Sequence, residues 1–456
     1  MKVLVLNGSP AGENSITLFT VKYWEKLFPD AAFETLHVGQ RIRQYEKEFA
    51  PAREKLLWAD LVLFCYPVYT FLVPAQLHRF VELMKESGLD FSRKYATQVT
   101  TSKHFYDVTA HRFIQDNCDD MGFRYLKGLS ADMEDLLTER GRGEAGAFFR
   151  FVLWQIEQGH REPRRYGKEL PFVPIVPAEA AARPEKKAGR VVIVTDREEG
   201  GDDALGAMID RFRARLPYES RVVNLRTFPF GGGCLGCFHC AADGICVHKD
   251  GFDRYLRENI QTADAIVYAY RIRDHAMGYR FKLYDDRQFC NGHRTVTMGK
   301  PVGYLVDGAL SREDNLRMLM EARAEVGGNY LAGVAGDENA PEQEIDQLAQ
   351  TLTYAMENHY QQPKNFFGVG GLKIFRDLIY QMQGLMRADH RFYRAHGFYD
   401  DFPQKHRGRI AAMYLVGAMM KNKKLQKKLS GRMTEGMTLP YKKVIEKAQA
   451  PSLNED

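Results

Sequence analysis

The chain has 456 residues, of which 45% are apolar and 27% are charged. This length predicts two or three globular domains, and the composition excludes global disorder. The formal net charge of +5 is small, and the first 340 residues carry no stripe of Arg and Lys interleaved with aromatic residues, so a nucleic-acid partner is disfavoured.

The apolar segments bear on the compartment. Residues 3–6 form an apolar run that is too short for the core of a signal peptide. The longest later run, residues 410–420, is interrupted by Gly417 and is too short to cross a bilayer, so we expect no transmembrane segment. We therefore expect a cytoplasmic protein, in which crowded cysteines are metal ligands more often than disulfides.

Short apolar runs alternate with helical patterns along residues 1–160. Residues 2–6, 61–66 and 97–101 are predicted to be strands, with amphipathic helices between them. Such alternation is typical of βαβ units around a parallel sheet. Residues 161–188 follow, and their prolines and charges predict a semi-rigid linker.

A second alternation covers residues 189–340. Its predicted strands are residues 190–195, 265–270, 302–306 and 330–334. Residues 58–63 correspond in sequence to residues 262–267, and residues 77–82 to residues 281–287, which indicates an internal duplication. The predicted fold class is α/β, with two doubly wound parallel-sheet domains and a helical C-terminal extension over residues 341–456. Within that extension, residues 345–360, 372–386 and 410–429 are predicted to be helices.

The first predicted strand is followed by a loop rich in hydroxyl and amide side chains that opens a helix. Its candidate anion-binding residues are Ser9, Asn14, Ser15 and Thr17. A helix N-terminus with such donors favours a phosphate, and a monoester fits better than a triphosphate because the loop has no lysine of the P-loop type. An ordinary helix cap with turn residues is the alternative.

The same loop, Ala59-Asp60 before a strand, Pro67-Val68-Tyr69, and residues 74–77 together resemble the NAD(P)H-dependent FMN reductase branch of the flavodoxin-like superfamily. The resemblance covers the first domain and implies that the loop holds the FMN phosphate. It also implies that Pro67, Val68 and Tyr69 lie against the isoalloxazine, with NAD(P)H as a possible electron donor. Thr100, Thr101 and Ser102 end a strand at the edge where ligands bind in parallel sheets, so we assign them to the same site.

Four of the seven cysteines, Cys234, Cys237, Cys240 and Cys246, follow the spacing C-x2-C-x2-C-x5-C. Thiolates from one short loop can converge on a single metal centre, and soft sulfur ligands select zinc or iron–sulfur. We favour a [4Fe–4S] cluster; a structural zinc or a motif without a cluster is the alternative. The motif also resembles that of the iron-sulfur flavoprotein family, whose members share the flavodoxin-like fold.

Each half carries what the other lacks. In the second half, residues 196–203 occupy the position of the phosphate loop with five acidic residues and one basic residue, a composition that repels phosphate. The first half has no comparable cysteine cluster. We therefore expect one FMN and one cluster per chain, arranged in a pseudo-dimer that resembles an iron-sulfur flavoprotein dimer.

The predicted function is a flavin-dependent oxidoreductase that passes electrons between the cluster and FMN to reduce a small quinone, nitro, azo or activated C=C compound. Alternatives are an electron-transfer flavoprotein serving a protein such as ferredoxin, a plain NAD(P)H:FMN reductase with a structural zinc, and a redox sensor. Tyr69, His104 and Tyr106 are candidate proton donors, and none is assigned as catalytic. Residues 103–150, interpreted as an insertion, and the tail are expected to enclose the substrate. The apolar helix of the tail is expected to cover the flavin cleft, or else to bind a membrane surface or an acidic carrier.

Overall fold

The computed structural model describes residues 1–103, 105–133, 135–159, 161–162, 171–175, 187–198, 204–338, 340–361, 366–400 and 402–420. The chain divides into two compact units, Met1–Phe392 and Tyr393–Asp456. Most of the predicted linker, the candidate His104 and residues 421–429 of the last predicted helix lie outside the described residues.

The first half contains a parallel sheet whose central strands are almost entirely buried. Its strands are β1 (Lys2–Asn7), β2 (Ala32–Leu36), β3 (Leu61–Pro67), β4 (Tyr95–Ser102), β5 (Arg124–Tyr125) and β6 (Leu129–Asp132). The order is β2-β1-β3-β4-β5, and β6 also pairs with β4. The helices are α1 (Ile16–Leu27), α2 (Val38–Lys47), α3 (Ala50–Trp58), α4 (Ala75–Glu86), α5 (Asp107–Asp120) and α6 (Glu139–Glu157).

The second half repeats this plan. Its strands are β7 (Lys187–Thr195), β8 (Tyr218–Asn224), β9 (Ala265–Arg271), β10 (Pro301–Asp307) and β11 (Tyr330–Gly336), in the order β8-β7-β9-β10-β11. The helices are α7 (Ala204–Arg215), α8 (Phe252–Asn259), α9 (Gly278–Arg287), α10 (Asp314–Gly327) and α11 (Pro341–Glu357). Both sheets have the doubly wound order 2-1-3-4-5, and the predicted fold class is confirmed.

Equivalent contacts recur in the two halves. The Asp60 carboxylate accepts the backbone N–H of Lys2 at 2.8 Å, and the Asp264 carboxylate accepts that of Arg190 at 2.8 Å. Each contact ties the residue before the third strand of its sheet to the start of the first. The structural repetition agrees with the duplication inferred from the sequence.

One hydrophobic core is shared by the two halves, and each half has a further core on the outer face of its sheet. The shared core includes Phe64 and Phe80 of the first half together with Val194 and Phe281 of the second. Within it α4 packs against α9, and α5 against α10. The outer cores lie under α1 and α6 on one side and under α7 and α11 on the other.

The C-terminal region adds α12 (Phe366–Gln381), α13 (Arg387–Ala395) and α14 (Arg407–Met420). Helix α12 packs against α10. In α14, Met413, Tyr414 and Leu415 are exposed. Among the described residues, no helix combines the length and apolarity needed to cross a membrane. Residues 103–150, expected to be an insertion, instead supply α5, β5, β6 and most of α6, because two short strands and a Gly-rich helix complete the first sheet and its outer face.

Candidate functional site

The loop after β1 is folded by its own polar side chains. The Asn7 side-chain amide donates to the carbonyl of Gly12 at 2.9 Å, and its oxygen accepts the backbone N–H of Ser9 at 3.1 Å. The Ser9 hydroxyl in turn accepts the N–H of Ala11 at 3.2 Å. Such side-chain-to-backbone bonds are typical of Asn and Ser in turns. They bring the chain directly to the N-terminus of α1.

Two of the predicted phosphate ligands are buried at that N-terminus. Ser15 precedes α1, and its hydroxyl is buried with no hydrogen-bond partner among the described residues. The first N–H groups of a helix also have no partner within the helix. Thr17 is buried and bonds through its hydroxyl to the hydroxyl of Thr101 at 2.6 Å, whereas Asn14 is exposed. Ser15 and the first turn of α1 therefore form a cradle that suits an anion.

The predicted site residues at the end of β4 do not all lie on the same face of the sheet. Thr101 faces Thr17, as described above, and its carbonyl accepts the N–H of Val68. Thr100 instead bonds to His111 Nε2 on α5 at 2.9 Å, on the opposite face of the sheet. Ser102 is half-buried at the strand end. The structure thus brings Thr101, and not the side chain of Thr100, to the cradle.

The loop after β3 is a tight turn (residues 69–72), which we call the flavin turn after the role predicted for Tyr69 from the sequence. The N–H and carbonyl of Tyr69 bond to the carbonyl and N–H of Leu72 at 2.8 and 3.0 Å. Both central residues are left-handed, Thr70 at φ 43° and Phe71 at φ 69°, although neither is glycine. Such backbone costs roughly 1–3 kcal/mol per residue and persists only where the surroundings hold it.

Lys282 and Asp286, both fully buried on α9 of the second half, hold the flavin turn. The Lys282 ammonium donates to the carbonyl of Tyr69 at 3.0 Å and to the Thr70 hydroxyl at 2.7 Å, and it forms an ion pair with Asp286. Asp286 accepts the Thr70 hydroxyl at 2.7 Å and the N–H of Ala75 at 2.8 Å. We call this pair the clamp. The clamp was not predicted from the sequence, although the spacing of four residues between Lys282 and Asp286 was a visible signal.

The cysteine loop (residues 231–250) belongs to the second half and is tied at both ends by one buried ion pair. The Arg287 guanidinium donates to both Asp250 oxygens at 2.7 Å and to the carbonyl of Gly232 at 2.9 Å. Asp250 also accepts the N–H of Gly231 at 2.8 Å. The same guanidinium points a further N–H at the Cys246 sulfur at 3.8 Å. The fixed fork of Arg287 therefore closes the loop that carries the four cysteines.

The four cysteines lie in one loop at different depths. Cys237 is exposed and the other three are partly buried. Burial raises the pKa of Cys240 to about 11, and the neighbouring Cys246 and Cys237 add to the effect. Burial also raises the pKa of Cys234. Among the described residues no three of these sulfur atoms lie within 4.8 Å of one another. Four sulfurs around one zinc ion would be about 3.8 Å apart, given zinc–sulfur bonds of about 2.3 Å.

The flavin turn and the cysteine loop meet. The Tyr69 hydroxyl lies 1.9 Å from where a Cβ of Gly236 would stand, so only glycine fits there, and Gly236 also has φ 62°. Burial, then the neighbouring Cys234, Asp286 and Cys237, raise the pKa of Tyr69. The Gln76 amide at the start of α4 donates to the carbonyl of Cys234 at 3.3 Å. Tyr69, a predicted flavin residue of one half, thus lies against the cysteine loop of the other half.

The remaining candidates are placed away from these two loops or in packing positions. The Tyr106 ring packs at a tilt against Phe71, with ring centroids 4.7 Å apart, and edge-on against Phe367 of α12, with centroids 5.5 Å apart. Cys65, Cys118 and Cys290 are buried. Burial raises the pKa of each of these thiols, which keeps them protonated and unreactive.

The second half offers no matching cradle in its described residues. After β7, Glu198 pairs with Arg226 at 2.6 Å, and burial raises the pKa of Asp196 to about 6. The guanidinium of Arg197 lies 2.6 Å from where a Cβ of Gly206 would stand, against the first turn of α7. Residues 199–203 of the predicted acidic loop lie outside the described residues.

Comparison with known proteins supports this description. Residues 1–122 match the family model described as the flavodoxin-like fold. An iron-sulfur flavoprotein of Archaeoglobus fulgidus is 27% identical over 176 residues, which cover 36% of this chain and 79% of the relative. These two findings confirm the resemblance stated from the sequence.

Two solved structures are also similar to part of the chain. The NAD(P)H:quinone oxidoreductase of Methanothermobacter marburgensis is 13% identical, with a TM-score of 0.29, over 36% of this chain and 99% of the other. An FMN-dependent NADH-azoreductase of Bacillus anthracis, in complex with FMN, is 12% identical, with a TM-score of 0.27, over 33% of this chain and 98% of the other.

Proposed function

We propose that this chain is an FMN-dependent oxidoreductase in which electrons pass between an iron–sulfur cluster in the cysteine loop and FMN beside the flavin turn, to a small organic acceptor. The contact between Tyr69 and Gly236 carries the proposal, because it puts the two predicted cofactor sites next to each other within one chain. The curated relative named as an iron-sulfur flavoprotein supports it.

The residues fit FMN. The buried Ser15 hydroxyl without a partner, the first turn of α1 and the Thr17–Thr101 pair suit a phosphate monoester, with Ser9 beside them. Pro67, Val68 and Tyr69 are half-buried at the same sheet edge, where they would contact the isoalloxazine. The clamp would keep the flavin turn in its strained shape and so fix the position of the Tyr69 ring.

The residues also fit a cluster. Cys234, Cys237, Cys240 and Cys246 would supply four thiolates from one loop, which is the ligand set of a [4Fe–4S] cluster. The Arg287 guanidinium, 3.8 Å from the Cys246 sulfur, would offset part of the negative charge of a cluster with thiolate ligands. When bound, the cluster supplies single electrons and FMN supplies one- or two-electron transfer. The chain's own part is to bind both groups close together.

The decisive experiment is anaerobic purification followed by quantitation of iron, sulfide, zinc and flavin. We expect one FMN and about four irons per chain in the wild type. Cys237→Ser should lose iron and keep FMN, whereas Cys290→Ala, a matched change at a cysteine outside the motif, should keep both. Two FMN per chain, or zinc in place of iron, would contradict the proposal. Turnover of quinone, nitro, azo or enone compounds would then identify the acceptor class.

A protein electron donor is a second candidate role for the same site. Leu235, Phe238 and Ile245 around the exposed Cys237 are between 42% and 54% exposed. Large exposed apolar side chains grouped in one loop are typical of interaction surfaces. Phe238→Ser should slow reduction by a protein donor such as ferredoxin and leave reduction by dithionite unchanged; equal rates with both donors would exclude docking at this rim.

A further inference from the structure

A cluster of metal-ligating side chains lies apart from both cofactor loops, where α4 of the first half meets the turn before α9. It comprises His78 and Glu82 on α4 and Asp274 in the turn. One nitrogen of His78 and one oxygen of each carboxylate lie within 4.8 Å of one another, and His78 Nε2 is 3.8 Å from Glu82 Oε1. These residues therefore come from both halves of the chain.

His78 is the unusual member. Its side chain is 0% exposed, and neither ring nitrogen has a hydrogen-bond partner among the described residues. Both ring nitrogens are potential metal ligands, and burial, with the charges of Lys282, Lys85 and Arg79, lowers the pKa of His78. A buried polar group without a partner is costly and calls for an explanation such as a missing ion.

The internal duplication indicates why the His78 side chain has no partner within the described residues. The turn of residues 273–276 repeats the flavin turn: Arg273 and Ala276 exchange backbone bonds of 2.9 and 3.0 Å, and Asp274 has φ 53°. At the same sequence offset, His78 corresponds to Lys282, Glu82 to Asp286 and Asp274 to Thr70.

The carboxylates of the two helices play the same part. Glu82 accepts the N–H of Tyr279 at 2.8 Å, as Asp286 accepts that of Ala75 at 2.8 Å. In the clamp, the cation between helix and turn is the Lys282 ammonium. In the equivalent arrangement on α4, the shorter His78 imidazole stands in the place of the Lys282 ammonium. The Asp274 carboxylate stands in the place of the Thr70 hydroxyl.

We propose that a divalent transition-metal ion binds between the halves here, with His78, Glu82 and Asp274 as ligands, in the place that the Lys282 ammonium takes in the clamp. One imidazole and two carboxylates form a ligand set that suits zinc or manganese. Arg79, at 2.9 Å from Glu82, and Lys85, at 3.1 Å from Asp274, pair with these carboxylates in the absence of an ion, and Arg79 keeps Glu86 as a partner at 2.7 Å if the metal displaces it from Glu82. Lys85 keeps Asp120 as a second partner at 2.7 Å if the metal displaces it from Asp274.

The test is titration of the anaerobically purified full chain with Co²⁺, whose visible bands report the ligands. We expect one Co²⁺ per chain with weak bands that lack thiolate charge transfer, and a higher melting temperature with the ion. His78→Lys places an ammonium at the position equivalent to that of Lys282 in the clamp. It should therefore abolish this binding without lowering the melting temperature of the metal-free protein. Asp274→Asn should weaken binding at least tenfold. The exposed His359 provides a matched control, and His359→Lys should change nothing.

Equal Co²⁺ binding by the wild type, His78→Lys and Asp274→Asn would overturn the proposal, and so would bands from thiolate ligands alone. Asp274 lies at the rim of the cluster, so Asp274→Asn decides the question by itself if His78→Lys does not fold. Loss of iron or FMN from the protein should not change the Co²⁺ titration, because none of the three ligands belongs to the cofactor loops.

Discussion

A role of the Ser15 hydroxyl in ligand binding can be distinguished from a role in folding. It is buried without a partner among the described residues, so it costs the protein free energy in the absence of a ligand. Ser15→Ala should therefore leave the flavin-free protein equally or more stable. The same change should weaken FMN binding about tenfold to a hundredfold, the value of one hydrogen bond to a charged group.

Flavin fluorescence titration and melting of the flavin-free protein measure the two effects separately. Thr20→Ala, a change of a buried hydroxyl further along α1, is the control. A Ser15→Ala variant that loses stability and keeps its FMN affinity would show that the hydroxyl serves the fold and not the ligand.

Asp250 is the residue that makes the cysteine loop sensitive to acid. Burial opposes its charge, but hydrogen bonds from Arg287, Gly231 and Phe252 outweigh burial and hold its pKa well below the usual range. A depressed carboxylate pKa gives stability that is present above about pH 4 and is lost as the pH falls towards the folded-state pKa. Asp250→Asn leaves the buried Arg287 without its partner and should cost about 3 kcal/mol at pH 7.

Urea denaturation between pH 3 and pH 7 checks this prediction. The stability gap between wild type and Asp250→Asn should shrink below about pH 4, while the exposed Asp210→Asn on α7 should track the wild type throughout. A gap that is constant over this range would mean that the charge of Asp250 does not stabilise the loop.

At the scale of elements, helix α9 determines the shape of the flavin turn. Lys282→Met would leave the Asp286 carboxylate buried and unpaired, and should cost about 3–5 kcal/mol. Lys282→Met with Asp286→Leu removes both charges and should recover most of that loss. FMN affinity should fall in both variants, because the Thr70 and Phe71 backbone loses its support.

A double-mutant cycle in urea, with flavin titration of each variant, measures these effects. If the double variant is destabilised by the sum of the two single changes, the pair is not coupled. If FMN affinity is unchanged, the turn keeps its shape without the clamp.

The sequence predicted the elements better than their contacts. Each predicted strand lies within an observed one, since runs such as residues 61–66 are long, apolar and bounded by turn residues. Four strands were not predicted: β5 and β6 have only two and four residues, and the edge strands β2 and β8 are too exposed to form apolar runs. The clamp and the His78 cluster were missed because they depend on how α4 and α9 cross. Two signals for them were present in the sequence: the spacing of Lys282 and Asp286, and the duplication, which aligns His78 with Lys282.

At the scale of the molecule, the predicted cofactor sites depend on the packing of one half against the other. Arg43 on α2 contacts the carbonyl of Gly231, and Gln76 contacts the carbonyl of Cys234. The cysteine loop therefore packs against the first half. The sequence predicted that the halves divide the cofactors between them. It did not predict which surfaces of the two halves meet. Helical periodicity shows that a helix has a buried face, but it does not show whether that face packs against a sheet or against another helix.

The shared core predicts how the chain unfolds. Residues of both halves line it, including Phe80 on α4 and Phe281 on α9, so neither half can bury its apolar surface alone. Residues 1–392 should unfold in one cooperative transition, seen at the same temperature by calorimetry and by near-ultraviolet circular dichroism. A fragment of residues 1–160 should expose the α4 and α5 faces and associate with itself, and added residues 187–392 should make it monomeric within a one-to-one complex. Two separate transitions, or a stable monomeric fragment, would show instead that each half has a sufficient core and that the contact between the cofactor loops is an association of independent domains.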